Sequence, residues 1–325
     1  MNPKFTTDLN GKKCVKCDLE AHFTGVDPKK AWYCKECFIQ MVRNKFRSAL
    51  SKKKIFKDAE ARDTLVVYDG SPSATFLLNQ INDAVNQITY KRLMIQPTIL
   101  VLVSVTDDDA IQMVMNRVQE IKKELVTKAR WIVAHVAYCM YSGSSKELSV
   151  LEDSVCNGLE NIGDYTSLLG SCSVPTYRKE LERILKEKCL LKIGSSLGIS
   201  KCMVPDDADD LGRLALNQLC LGRGGSLSKL VSAVDKRTNC MFIRPLLDVS
   251  KKEIAVYNYL CEVDKFCVQL KERNEPKSVQ TLTDNFIRTL EAEKFYSTIN
   301  TVMSTAAKIH SNGADGTPSS NSKCM

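Results

Sequence analysis

The 325-residue sequence contains no apolar run long enough to cross a bilayer. Its longest runs, near Thr98–Val105 and Trp131–Tyr141, reach about half of the roughly 20 residues that a spanning helix needs. The stretch MNPKFTTDLNGKKC lacks the apolar centre of a secretory leader, so the expected compartment is cytosol or nucleus, and no membrane partner is expected. Acidic residues are missing from Arg43 to Lys57, a segment that holds seven basic ones. Residues 1–62 carry fifteen Lys and Arg against seven Asp and Glu, and the remainder carries thirty-one of each, so the net charge of +8 lies wholly in the first 62 residues. Charge gathered in this way points to an anionic partner, with nucleic acid foremost.

What the chain does have is apolar content, 44%, enough for a large core, and fourteen cysteines. Ten of these are scattered through apolar or helical context, as in KEKCLLKI and NQLCLG, where a reduced thiol packs as a small hydrophobe. That usage excludes a disulfide scaffold and fits a reducing compartment. The other four form CVKC (Cys14, Cys17) and CKEC (Cys34, Cys37), with sixteen residues between the pairs. Two such knuckles at this spacing close a tetrahedral zinc site, and the metal supplies folding energy that a module of about forty residues cannot draw from a core. His22 lies between the knuckles and is superfluous beside four thiolates, so it is expected at the surface.

After Cys37, Phe38, Val42, Phe46 and Leu50 recur every four residues, the stripe of a docked helix. Arg43, Lys45 and Arg47 fall mainly off that stripe, and Lys52, Lys53 and Lys54 follow it. These six are the candidate RNA contacts, joined by Arg223 in the later LGRGG loop; any one of the lysines could equally be a solvated side chain.

From Thr64 onward strands and helices alternate. TLVVY precedes a helix over Ala74–Val85, TILVLVSV (98–105) precedes a helix over Ala110–Val126, and RWIVAHV (130–136) follows. Continuous apolar strands between amphipathic helices predict an α/β domain with a doubly wound, mostly parallel sheet that binds ligands at the carboxyl ends of its strands. The strand–turn–helix TLVVYDGSPSATFLLNQI has the form that seats a phosphate on backbone amides, yet Asp69 opens the turn. A carboxylate about 4 Å from a phosphate oxygen costs on the order of 4 kcal/mol at an effective dielectric of about 20, or three decades of affinity. DGSP is also simply a good turn.

The segment YDGSPSA resembles the S-G-G-x-D-S pyrophosphatase loop of ATP-dependent adenylating enzymes, the adenine nucleotide alpha hydrolase type, among them the tRNA thiolases. Gly70 is kept, while Asp69, Ser71, Ser73 and Ala74 replace the first Ser, the second Gly, the Asp and the last Ser. LGISKCMVPDDADDLGRLALNQLCLGRGGSL is similar to the thiolase segment with G-H-N-A-D-D before a helix and an L-x-R-G loop, and FIRPLLDVSKKEIAVYNYL to the family's R-P-L strand and K-E-I helix. Ser250 and Glu253 have capping-box spacing besides. Where active thiolases carry Cys-x-x-Cys, GSCSVPTYRKELERI has Cys172 alone, with Val174 in the second position.

The order of these features resembles the family of cytoplasmic tRNA 2-thiolation protein 2, the divergent partner of the catalytic thiolase. The resemblance implies a non-catalytic subunit of a heterodimeric tRNA sulfurtransferase, in which a ubiquitin-related modifier delivers sulfur to the partner. The implied substrates are the wobble uridines of cytoplasmic tRNAs for Lys, Glu and Gln. It implies structural zinc, no catalytic residue and no ATP on this chain, with Asp69, Gly70, Ser71 and Ser73 as a degenerate nucleotide loop. Two alternatives stay open: a thiolase active by itself, with Asp69 holding magnesium, and a zinc-ribbon RNA-binding protein outside thiolation.

Residues 278–311 read as two amphipathic helices, Leu282, Phe286 and Leu290 lining one and Ile299, Val302, Met303 and Ala306 the other, with His310 at the end. The expected units are a four-cysteine zinc module with its basic helix (1–57), the Rossmann-like domain (58–260), the carboxy-terminal helices (261–310) and a disordered tail (311–325) ending near Cys324, where a second metal pair is not expected.

Overall fold

The computed structural model describes residues 11–52, 55–56, 62–87, 93–141, 148–236, 239–268, 270 and 276–309. The expectations for Lys53, Lys54, His310, the 311–325 tail and Cys324 lie outside these residues, as does the side chain of Lys52.

The amino-terminal module is a two-stranded hairpin, β1 (Phe23–Thr24) and β2 (Trp32–Tyr33), running directly into helix α1 (Lys35–Lys52). Beyond it stands one seven-stranded sheet of β3 (Asp63–Tyr68), β4 (Gln96–Val103), β5 (Arg130–His135), β6 (Cys156–Asn157), β7 (Lys201–Met203), β8 (Val234–Asp235) and β9 (Met241–Ile243). Its order is β6-β5-β4-β3-β7-β9-β8, parallel throughout except for β8 against β9. The chain builds outward from β3 through β4, β5 and β6, then returns to add β7 on the other flank of β3. That reversal is the topological switch point, where neighbouring loops part and leave a crevice.

The alternation along β3 explains the two covered faces. Val66 and Tyr68 join one core with helices α2 (Pro72–Asn86), α3 (Asp108–Glu124) and α8 (Lys251–Leu260), and Leu65 and Val67 join another with α5 (Pro175–Leu197). Each side chain so buried contributes about 1.5–3 kcal/mol against leaving it in water. The stripe Phe38, Val42, Phe46 and Leu50 of α1 enters the first of these cores.

Element ends differ from the periodicity for local reasons. α2 begins at Pro72, two residues before Ala74, because Ser71 caps it by accepting from the Ala74 amide and proline suits the first turn. Helix α3 likewise begins earlier than Ala110, its cap Asp107 accepting from the Ala110 amide. β4 stops at Val103 because the Ser104 amide donates to Leu270 O at 2.9 Å instead of to a neighbouring strand. The Ser250–Glu253 capping box is formed at the start of α8.

The remaining helices are α4 (Ile162–Ser171), α6 (Ala208–Cys220), the short α7 (Leu227–Leu230), α9 (Val279–Ala292) and α10 (Thr298–Ala306). Ile299 and Ala306 of α10 are buried, as their spacing implies, but α9 inverts the expectation. It buries Thr283 and Ile287, while Leu282 and Phe286 are 68% and 54% exposed. Ile287 packs with Ala208 and Ile299, and a periodicity that gives the width of an apolar stripe does not say which neighbour will cover it.

Candidate functional site

Two places gather chemistry-bearing side chains. In the first, the CVKC knuckle turns back on itself: Asp18 adopts φ 57°, its amide donates to Cys14 O at 3.2 Å, and the Cys14 amide donates to Leu19 O at 2.7 Å. The hairpin and the first turn of α1 bring Cys34 and Cys37 to the same spot, so that the four sulfur atoms lie within 4.8 Å of one another. Cys17 Sγ stands 3.5 Å from both Cys34 Sγ and Cys37 Sγ. Four thiolates about 2.3 Å from one ion would be separated by little more than this, so the donor set fits a tetrahedral metal ion. Burial works against ionising Cys14, but backbone hydrogen bonds bring its thiol down to about 6, while sharing protons with Cys17 and Cys34 pushes Cys37 up to about 12. His22 is exposed, 4.0 Å from Glu20, and belongs to no ligand set among the described residues.

The second place is the switch point. β3 ends at Tyr68, and Asp69, Gly70 and Ser71 turn the chain into α2. Asp69 is buried. Its Oδ1 accepts from the Ser71 hydroxyl at 2.6 Å and, more distantly, from the Ser71 amide at 3.3 Å, and its Oδ2 accepts from Lys186 Nζ of α5 at 3.3 Å. Ser71 Oγ in turn accepts from the Ala74 amide at 3.1 Å. Ser73 Oγ donates to Asp207 Oδ2 at 2.7 Å across the crevice from the β7–α6 turn. Gly70 has φ +72°, and a Cβ there would stand 1.9 Å from Val268 O. Its own carbonyl accepts from the Val268 amide at 3.0 Å, and Tyr68 donates its hydroxyl to Phe266 O, so Phe266 and Val268 cross the end of β3 as Leu270 crosses that of β4. The glycine is required by that crossing.

Asp207 also caps α6 through Oδ1 to the Asp210 amide, 2.9 Å away. Burial, with Asp210 close by, raises its carboxyl to about 7. Beside the crevice lies a cavity of about 770 Å³ whose wall includes Ser104, Arg178, Glu180, Arg183 and Lys186. Glu180 is buried and accepts from Arg183, Gln218 and Arg223 at 2.6–3.3 Å, which ties α5 to α6 and to the LGRGG loop. Burial opposes the charge of Glu180, yet Arg183, helped by the Gln218 amide and Arg223, holds its carboxyl below the usual range.

Of the candidate RNA contacts, Arg43 donates to Asp83 at 2.9 Å and to the Tyr257 hydroxyl at 3.1 Å, and Lys45 pairs with the buried Glu253 at 2.7 Å. Both pin α1 to the Rossmann-like body, and Arg223 is paired with Glu180. Arg47 is exposed. Cys172 is half-buried at the end of α4, its carbonyl accepting from Arg178, and among the described residues the one cysteine group arranged for a metal is Cys14, Cys17, Cys34 and Cys37. Burial raises the thiols of Cys139, Cys156, Cys189 and Cys267. Lys186, Glu180, Asp207 and the crossing of β3 by Phe266 and Val268 escape sequence reasoning; only the polar residues of the PDDADD run gave a local signal.

The chain is 70% identical to cytoplasmic tRNA 2-thiolation protein 2 of Caenorhabditis elegans, across 94% of its own length and 87% of that protein's. It belongs to the cytoplasmic tRNA 2-thiolation protein 2 family. The Caenorhabditis briggsae member is 68% identical over 96% of the chain and 89% of that protein, and the Anopheles gambiae member 28% over 93% and 72%. The family model itself matches residues 278–325. Among solved structures, the U34-tRNA thiolase NcsA from Methanococcus maripaludis, determined with its 4Fe-4S cluster, superposes with a TM-score of 0.62 over 92% of this chain and 88% of the other, at 15% identity. That likeness establishes the shared fold.

Proposed function

We propose that this chain is the non-catalytic subunit of a heterodimeric tRNA sulfurtransferase, cytoplasmic as its family's name states, that contributes to 2-thiolation of wobble uridine in tRNAs for Lys, Glu and Gln. It holds tRNA against a catalytic thiolase, and a ubiquitin-related modifier gives its sulfur to that partner. The observation that carries the reading is the turn after β3: the Ser71 and Ala74 amides are bonded by side chains of the turn itself, and Asp69 puts negative charge where a triphosphate would lie. Cys172 belongs to no metal-ligand group among the described residues, and burial keeps the Cys139 and Cys156 thiols protonated at neutral pH.

Cys14, Cys17, Cys34 and Cys37 hold structural zinc in this reading, and the metal orders the hairpin from which α1 departs. tRNA binding falls to Arg47 and to Lys52, Lys53 and Lys54, because Arg43, Lys45 and Arg223 are engaged with carboxylates. Replacing those four with Ala is expected to weaken tRNA binding and to flatten its salt dependence by about 0.9 in log–log slope for each phosphate no longer neutralised. Unchanged affinity would remove the basic helix from the interface.

The deciding experiment deletes the gene and measures wobble 2-thiouridine by mass spectrometry, alongside co-purification with a catalytic thiolase. Loss of the modification is expected, and unchanged levels would end the proposal. Calorimetry on the isolated chain separates the enzyme alternative, since micromolar binding of ATP with magnesium would restore a nucleotide site to this polypeptide.

A further inference from the structure

We infer that Cys202 and Cys240 are a modification site, a thiol pair that hydroperoxides oxidise to a disulfide at the amino ends of β7 and β9, away from the crevice. The inference is independent of the proposed function. Cys202 is the second residue of β7, and Cys240 immediately precedes β9. The parallel register sets Cys202 beside Phe242, and the Met241 amide donates to Ser200 O at 2.7 Å, so the two strands are already paired where Cys240 arrives. Side chains alternate along a strand, so Cys240 and Phe242 share a face, and it is the face of Cys202. All three enter the core shared with α5, and the two thiols are hydrogen-bonded to each other.

The two sulfurs are not equivalent. Cys202 is fully buried, whereas Cys240 lines a cavity of about 530 Å³ with Leu191, Gly194, Ser195 and Asn239. Its Sγ faces Gly194 of α5, 3.5 Å from where a Cβ would stand. The hydrogen bond from Cys202 lowers the Cys240 thiol against the effect of burial, and the same bond together with burial raises the Cys202 thiol. Negative charge therefore gathers on the sulfur beside the cavity, which divides the pair into an attacking thiolate and a resolving thiol. The Cys240 thiolate takes one oxygen of the hydroperoxide; the O–O bond breaks, the other oxygen leaves and is protonated, and Cys240 becomes a sulfenic acid. The Cys202 sulfur then displaces that hydroxyl, which departs as water with the Cys202 proton. Two thiols lose two electrons and the peroxide gains them. Because Cys240 stands before the first residue of β9 and beside the cavity, its side chain has room to close from a hydrogen bond to an S–S bond. The bond ties β7 to β9, on the flank of the sheet from which Asp207 reaches Ser73.

The test exposes the full chain to hydrogen peroxide, unfolds it in iodoacetamide and maps the cysteine peptides by mass spectrometry. The Cys202 and Cys240 peptides are expected to leave the alkylated pool together and to reappear joined, and dithiothreitol should separate them again. Their loss should be at least about tenfold faster than that of Cys189, the ratio of thiolate that a difference of about one in thiol pKa sets. Cys189 serves as the reference because it lies in the same core with its thiol raised by burial. Cys202→Ser removes the resolving thiol and should leave Cys240 as a sulfenic acid that dimedone labels. Circular dichroism checks that this variant folds, and the cross-link is read on the native chain, so the proposal can fail without it. Separate recovery of the alkylated Cys202 and Cys240 peptides at a dose that has oxidised the exposed Cys220 overturns the inference. So does loss of Cys189 as fast as that of Cys240, or a folded Cys202→Ser chain whose Cys240 takes no dimedone.

Discussion

The cysteine module and the turn after β3 both bring polar groups into a small volume, but they complete them differently. Four thiols stand within 4.8 Å of one another at the amino terminus, close enough to share protons and suited to a ligand from outside. At the switch point Asp69, Ser71, Ser73, Lys186 and Asp207 find their partners within the chain. A module with few apolar contacts needs an external ion to be stable, whereas a turn anchored in a large core can close upon itself.

The strongest way to break this comparison is Cys14→Ser. Removing one ligand of a tetrahedral site should release the metal and unfold residues 11–34 while the sheet persists, because structural metal sites supply on the order of 10 kcal/mol of folding energy. Metal analysis and limited proteolysis read the outcome, and a module that stays protected without metal would deny the external ion its role. Next is Gly70→Ala, which puts a Cβ at φ +72° and 1.9 Å from Val268 O. A cost of about 3 kcal/mol or more, at the upper end for single substitutions, should lower the melting temperature by several degrees. A near-native melting temperature would show that the backbone at Val268 yields easily.

Both expectations concern features of unequal legibility. The knuckle spacing is local, and so is the alternation of apolar strands with helices, which is why the four-thiol cluster and the doubly wound sheet can be read from residue order alone. The capping box at Ser250 and Glu253 is equally local. Asp69 gives the opposite lesson: its charge is visible in the sequence, but its partner Lys186 is not, since nothing in residue order says that α5 delivers an ammonium to the end of β3. Arg43 and Lys45 have an RNA-binding composition, yet they meet Asp83 and Glu253 only once α1 is docked.

A smaller effect is expected from that docking pair. Glu253→Gln leaves Lys45 facing a neutral amide in a half-buried position and should cost about 1–3 kcal/mol in denaturant unfolding, less than a fully buried pair because Lys45 retains solvent. Adding Lys45→Met should recover part of the loss, and additivity of the two changes would mean that the residues act separately.

A last effect, spread over pH, concerns Asp207, whose folded carboxyl is raised to about 7 from an ordinary value of 3.8. Over that window the native state binds a proton that the unfolded state has already lost, so this residue favours folding below about pH 4 and its contribution is withdrawn as the pH climbs to 7. Asp207→Asn keeps a cap on α6 and should reduce the decline by at most on the order of 1 kcal/mol per pH unit. Parallel stability curves for the two proteins from pH 4 to 7 would argue that the carboxyl titrates normally.

Residue order by itself determined the thiol set, the apolar strands, the helical stripes and the concentration of positive charge, because each depends on spacings of a few residues along one element. Tertiary structure alone decided which of those charges remain available. Long-range packing brought α5 to β3, α8 to α1 and Val268 across Gly70, and a charge buried by such packing is stable only with a partner that the same packing supplies.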